Sequence, residues 1–222
     1  VTFTNKAAAE MRERVLHLSS ARGVVLSTFH SFCARLLRTE HEALALPATF
    51  TIYDADDSRA LVKQCLKNLD LDSRYFKPAE VHARISRAKN AGLTALEFGN
   101  RFVGHYERGV GQAYEAYQQA LAQAQAMDFD DLLLRTYRLL AHETGIRREW
   151  QRRYDYVLVD EYQDTNVLQA EIARMLAESH RNLFVAGDPD QAIYSWRGAE
   201  IGNILGFATA WENTKTITLE IN

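Results

Sequence analysis

Three apolar residues, Val157, Leu158 and Val159, run without a break into two carboxylates, Asp160 and Glu161. That junction constrains the fold more than any other stretch of the chain. A short, partly β-branched apolar run without alternation predicts a strand buried on both faces, as in a parallel sheet. Two acids placed directly after it fall at a C-terminal strand end, where open α/β sheets hold their ligands. One carboxylate there can hold Mg²⁺, directly or through water, and the next can orient and deprotonate an attacking water. Phosphate-hydrolysing enzymes use this arrangement. An Asp-Glu pair by itself, however, is better read as an acidic turn capping the next helix.

The chain ahead of this junction alternates strand and helix signals. Thr2-Phe3-Thr4-Asn5 leads into the Ala-rich run from Lys6 to Leu16, with Thr4 or Asn5 as its N-cap. Free N–H groups at such a helix start can take a phosphate, although an ordinary capped helix explains the residues as well. Val24 to Thr28 predicts a second strand. It runs into a helix from Phe29 to Arg38 with Phe32, Leu36 and Leu37 on its apolar face. His30 within it reads first as a packed or capping histidine.

After Pro47 the character changes. From about Asp54 to Met127 the pattern is helical, without a clear strand. Asp54 caps one helix, Pro78 opens another, Gly92 ends it, and Thr94-x-x-Glu97 is a capping box. Arg84, Arg87 and Lys89 could face DNA, but a solvated helix face explains them more simply. Asp128-Phe129-Asp130-Asp131 then starts a strongly capped helix. Beyond the central junction, Asn166 or Thr165 caps a helix, Leu183 to Ala186 predicts another buried strand, and Thr216 to Leu219 a last one.

A second long motif follows Ala186. Gly187-Asp188-Pro189-Asp190-Gln191 brings an acid and an amide to a strand end, and Tyr194, Trp196 and Arg197 come just after. The Gln191 amide can hydrogen-bond a terminal phosphate or an attacking water. Tyr194 and Trp196 can stack on unpaired bases of any sequence. Arg197 can grip a phosphate or carboxylate with two hydrogen bonds. The bland alternative is an aromatic loop buried against a neighbouring domain.

Composition is permissive. With 222 residues, 47% of them hydrophobic, the chain can bury a substantial core, and its formal charge of −3 does not advertise nucleic acid. No apolar run approaches the roughly 18 residues needed to span a bilayer. Two cysteines, Cys33 and Cys65, at apolar helical positions read as reduced core residues of a cytosolic protein rather than a zinc site or a disulfide. The first residue is Val1, without an initiator Met, so the chain reads as a fragment.

Four strings, TFTNKAA, STFHSFC, DEYQDT and GDPDQAIYSWRGA, with DFDDLL ahead of the third, together resemble the motifs of UvrD/Rep/PcrA-type superfamily-one DNA helicases. The likeness covers essentially the whole chain. Ala192 stands where a Ser is common in the family, and Leu219-Glu220-Ile221-Asn222 departs from the family's next motif at Ile221. The resemblance implies an α/β fold: a parallel-sheet P-loop NTPase (RecA-like) core with an all-helical inserted subdomain. The expected divisions are 1–53 for the first part of the motor core, 54–127 for the insert and 128–222 for the second part of the core. It further implies an ATP-dependent helicase that moves 3′→5′ on single-stranded DNA and unwinds duplexes in repair or replication. The implied cofactors are ATP and Mg²⁺. The implied partners are single-stranded DNA, single-strand/duplex junctions and repair or replication proteins, with no membrane, in the bacterial cytosol or nucleoid.

By the same resemblance Glu161 is the catalytic base, Asp160 serves Mg²⁺, and Gln191 and Arg197 attend the nucleotide. Thr2, Phe3, Thr4, Asn5, Thr28, His30, Tyr194 and Trp196 are the implied DNA contacts. Two other readings stay open: the motor part of a helicase–nuclease, and a non-catalytic relative that only binds DNA or protein. The phosphate-cradling Gly-x-x-x-x-Gly-Lys-Ser/Thr string occurs nowhere in the 222 residues and is expected upstream of Val1, so the fragment alone is expected to be inactive.

Overall fold

A computed structural model of the chain describes residues 1–2, 4–18, 23–101, 104–194, 198–211 and 213–219. The elements in chain order are α1 (Asn5–Leu18), α2 (Phe29–Thr39), β1 (Thr51–Tyr53), α3 (Ala55–Asn68), α4 (Pro78–Asn90), α5 (Ala95–Arg101), α6 (His105–Gln123), β2 (Ala126–Asp128), α7 (Phe129–His142), α8 (Thr144–Arg152), β3 (Val157–Val159), α9 (Val167–Ala177), β4 (Leu183–Val185), α10 (Gly202–Leu205) and α11 (Phe207–Ala210). Single 3₁₀ turns stand at Tyr162–Asp164 and Pro189–Gln191. The mixed α/β character is as expected, and every described strand pairing is parallel.

The chain divides into two compact units, one of residues 1–28 and 154–222, the other of 29–153. The expected divisions at 53/54 and 127/128 both fall inside the second unit.

In the first unit, β3 and β4 pair in register, with Val157, Leu158 and Val159 opposite Leu183, Phe184 and Val185. Extended backbone continues this ladder beyond β3. The Val1 amine donates to Leu158 O at 2.6 Å, and the Asp160 amide donates to Val1 O at 3.0 Å. Thr2 in turn bridges Thr28. Among the described residues, 24–28 form one bridge and not the expected strand, with Ser27 and Thr28 alongside the Val1–Thr2 backbone. The described residues 216–219 also lack the expected strand.

Helix α9 packs on β3 and β4, capped by Asn166 in a full capping box with Gln169. The expectations that β3 is buried on both faces and that β4 is a buried strand are corrected here. Val159 is buried, but Leu158 is 55% exposed and its partner Phe184 59%. The apolar run identified the strand, but α9 covers only one side of it.

The second unit is mostly helical and owes its shape to local signals. Asp54 and Asp128 each close a capping box, with Asp57 and Asp131. Thr94 and Glu97 close a third. Helices α3, α4, α5 and α6 bury Val62, Val81, Ile85, Phe98, Tyr114 and Tyr117 in one core. Full burial of such side chains contributes about 1.5–3 kcal/mol each. Within the same unit Trp150 sets its ring edge-on to Phe32 and donates its indole N–H to Glu40 at 2.7 Å. Cys33 and Cys65 are buried and free, as their apolar phase predicts.

Two features of this unit depart from expectation. Residues 126–128 form strand β2, which pairs parallel with β1. Lys89 does not lie on a solvated face: it is wholly buried, with its ammonium 2.7 Å from Asp128 Oδ2 and 2.9 Å from Asp131 Oδ1. Arg84 pairs with Glu107 at 2.8 Å. The i, i+4 row of Val81, Ile85 and Lys89 already carried the signal, since Lys89 continues the buried stripe of α4.

Candidate nucleotide and DNA site

The C-terminal ends of β3 and β4 lie side by side because the strands are parallel and in register. Asp160 and Glu161 follow β3; Gly187, Asp188 and Gln191 follow β4. Cross-strand bonds hold the two exits together: the Ala186 amide donates to Val159 O and the Tyr162 amide to Ala186 O, each at 2.9 Å. The exits of β3 and β4, with Asp160 and Glu161 on one and Asp188 and Gln191 on the other, thus lie at one edge of the sheet.

Glu161 sits in the left-handed region at φ +53, between a strand and a 3₁₀ turn. Asp70 and Gln125 share that conformation but follow helix C-caps, where chains commonly adopt it. At Glu161 it breaks the strand direction at once and leaves the carboxylate exposed. A glutamate held there costs about 1–3 kcal/mol, and such outliers cluster at functional sites.

Behind Asp160 and Glu161 lies a polar layer that the sequence reading did not use. Gln163 is 1% exposed. Its amide N–H donates to Glu161 Oε2 at 2.8 Å, and its amide oxygen accepts from the Asp188 backbone N–H at 3.1 Å. Asp164 is also buried, and its Oδ1 has no hydrogen-bond partner among the described residues. Burial pushes the Asp164 carboxyl above its ordinary value, and the charge of Glu161 adds to the rise. The Gln191 amide donates to Asp188 Oδ2 at 2.7 Å. Spacing gave no hint that Gln163 would face inward. The available signal was its place in a turn whose neighbours Tyr162 and Asp164 are also buried.

The loop that follows Gly187 returns to the same turn. The Glu200 amide and the Asn203 side-chain amide both donate to Thr165 O at 2.9 Å. The described part of that loop includes Tyr194, half-buried; Trp196 and Arg197 lie outside the described residues.

The remaining sequence candidates fare unequally. Thr4 and Asn5 are exposed at the start of α1, with the Thr4 hydroxyl accepting from the Ala7 amide at 3.1 Å as its cap. Thr2 and Thr28 are buried at their bridge. Phe3 lies outside the described residues. His30, half-buried, belongs to the second unit, where its ring stands edge-on to Phe129 at 5.4 Å and burial lowers its pKa.

The UvrD/REP helicase N-terminal domain family matches residues 1–212. The chain belongs to the UvrD/REP helicase family. It is 42% identical over 224 residues to the ATP-dependent DNA helicase PcrA of Bacillus subtilis (strain 168). To the proteins of the same name from Leuconostoc citreum and Staphylococcus aureus (strain COL) it is 41% and 40% identical. Each match takes in 100% of this chain but only 30% or 31% of the relative. In this UvrD/REP chain, no described group of three or more His, Cys, Asp or Glu side chains gathers as a metal cage. One or two carboxylates at an open edge suit Mg²⁺ all the same, since that ion keeps several waters and takes its other ligands from phosphates.

Proposed function

We propose that this chain is the water-and-metal side of the first motor domain of an ATP-dependent DNA helicase. The whole protein would translocate 3′→5′ on single-stranded DNA and open duplexes at single-strand/duplex junctions, in repair or replication, in the cytosol or nucleoid. The fold reading that goes with it is a P-loop NTPase (RecA-like) core, 1–53 and 128–222, carrying a helical insert at 54–127. No helix among the described residues is long and apolar enough to cross a membrane.

One observation carries the proposal. In a chain of the UvrD/REP family, Asp160 and Glu161 leave β3 at the edge where Gln191 leaves β4. Asp160 would hold Mg²⁺, which supplies charge neutralisation at the phosphates when bound. Glu161 would orient the attacking water and take its proton. Gln191 would leave Asp188 to contact water or phosphate, and Arg197 would bind phosphate. The DNA surface of the proposal is formed by Thr4, Asn5, Tyr194, Phe3 and Trp196. Thr2, Thr28 and His30 are the other DNA contacts of the proposal.

The test is Glu161→Gln in the full-length protein. The change keeps size and hydrogen bonding but removes the base. ATP turnover should fall by about 10²–10⁴-fold with nucleotide affinity nearly unchanged. Near-normal turnover would refute the assignment.

A further inference from the structure

Gln163 contacts both halves of this edge. Its side-chain amide is buried, and each of its two polar ends has a specific use. The N–H reaches the Glu161 carboxylate at 2.8 Å; the oxygen receives the Asp188 N–H at 3.1 Å. Room for this bridge depends on Gly187. A methyl group there would overlap Gln163 Oε1 and stand 2.9 Å from Ile204 Cδ1 and 3.1 Å from the Tyr162 amide nitrogen. The far end of the loop is tied to the same turn through Thr165, which accepts from Glu200 and Asn203. The loop from Asp188 to Ala199 is therefore fastened at both ends to the turn that carries Glu161.

We propose that Gln163 is a positioning residue: its buried amide aims the Glu161 carboxylate and makes that aim depend on the seating of the Gly187–Gln191 segment. Resting on the reading of Glu161 as the base, it adds a specific mechanical link between the two strand exits. Glu161 is exposed and has a flexible side chain, so the carboxylate needs an external restraint to stay in one rotamer. Gln163 supplies it from a buried, fixed position. When the segment after β4 shifts, the Asp188 N–H moves and the amide must turn, taking the carboxylate with it. A loop that responds to DNA thereby acquires a route to the hydrolytic group.

Three variants of the full-length protein test this. Gln163→Leu removes both hydrogen bonds. Gln163→Glu keeps an acceptor for the Asp188 N–H but loses the donor to Glu161. Gly187→Ala displaces the amide while leaving Gln163 in the sequence. Misplacing a reacting group by about 1 Å can cost about 10²-fold. All three should lower kcat by about 10–100-fold and leave KM for ATP within about threefold. Gln163→Glu should fall as far as Gln163→Leu, and Gly187→Ala should add little to Gln163→Leu in a double-mutant cycle.

A simple loop anchor gives a different result: Gln163→Glu would stay near wild type, and that would overturn the proposal. Glu161→Gln is run alongside. If it is inactive while the Gln163 variants turn over normally, only the positioning role falls; if it is active, both readings fall. Exchange of the Gln163 side-chain amide protons in the folded wild type gives a readout that no variant's misfolding can remove. They should exchange more slowly than those of Gln119 on the exposed face of α6, and Glu161→Ala should release them; equal exchange in the wild type would overturn the proposal.

Discussion

The two units each contain a cluster of acids, arranged in opposite ways. Around Lys89 every charge is used internally. Its ammonium meets Asp128 and Asp131, Tyr117 O–H donates to Asp128 at 2.8 Å, and Gln118 donates to Asp131 at 3.1 Å. Burial alone would lower the lysine pKa, but the two carboxylates outweigh it and raise it above the ordinary value. Burial is the largest single influence on Asp128 and pushes it up, but Lys89, the Asp131 amide and the Tyr117 hydroxyl together draw it down further, below the usual carboxylate range. At the β3–β4 edge the order is reversed. There Glu161 is exposed and Asp160 half-buried, no described basic side chain pairs with either, and behind them lie the buried Gln163 amide and the buried Asp164. A closed cluster locks α4, α6 and α7 together; an open one keeps its charge available for a ligand.

The sharpest way to break this contrast is to ask whether the open edge works unaided. On the proposed reading Asp160, Glu161 and Gln191 would serve metal and water, but no Gly-x-x-x-x-Gly-Lys-Ser/Thr string lies in these 222 residues to grip the phosphates. The purified chain should show no ATP turnover above background, with or without single-stranded DNA. DNA-stimulated turnover that Glu161→Gln abolishes would mean that the edge is complete as it stands.

Next in size is the closed cluster. Lys89→Met keeps most of the side-chain volume and leaves two carboxylates buried without their cation. Removing one partner of such a pair typically costs about 3–5 kcal/mol, which urea denaturation of the chain should register. Adding Asp128→Asn and Asp131→Asn should recover part of the loss. A cost below about 1 kcal/mol would show that the charges are not interlocked.

A smaller effect belongs to the aromatic loop beyond Gln191. If the open edge extends to DNA, Trp196→Ala in the full-length protein should weaken single-strand binding by about 1–3 kcal/mol, with little dependence on base sequence. Titrations of several homopolymers at one salt concentration measure it. Unchanged affinity would make the loop structural.

What could be read from sequence was local. The caps at Asp54, Thr94, Asp128 and Asn166 follow from a few neighbouring residues, and the structure has all four. The acid-bearing strand exits were legible because a short apolar run marks the strand, while the family resemblance of DEYQDT and GDPDQAIYSWRGA gave the acids after it a use beyond a capping turn. The pairing of β1 with β2 was not, since two three-residue strands far apart in sequence leave no periodic trace. Leu158 and Phe184 looked buried because apolar runs usually are, and nothing local says which face a helix will cover. Lys89 was read as outward because a charged side chain usually is, although it continues the buried row of α4, and Gln163 was not singled out because its partner Asp188 is distant in sequence.

The smallest effect tests how tightly the closed cluster is sealed. Asp130 sits beside it, accepting from Asn90 at 2.8 Å. Burial first, and then the charge of Asp128, push its carboxyl from the ordinary 3.8 up to about 6. A folded-state value above the unfolded one means that the folded protein binds the proton more tightly. The stability this contributes is fully present below about pH 4 and is lost as pH rises through about 6. At neutral pH the folded state therefore carries an unfavourable charge, worth at most about 3 kcal/mol and nearer 1 kcal/mol once partial exposure is counted. Asp130→Asn stays neutral throughout and keeps the oxygen that accepts from Asn90. It should stabilise the chain by about 1 kcal/mol at pH 7.5, with the gain shrinking to nothing near pH 4, as read from urea midpoints across that range. A gain that did not change with pH would place its origin elsewhere, and a loss at pH 7.5 would show that the Asp130 charge is satisfied where it stands.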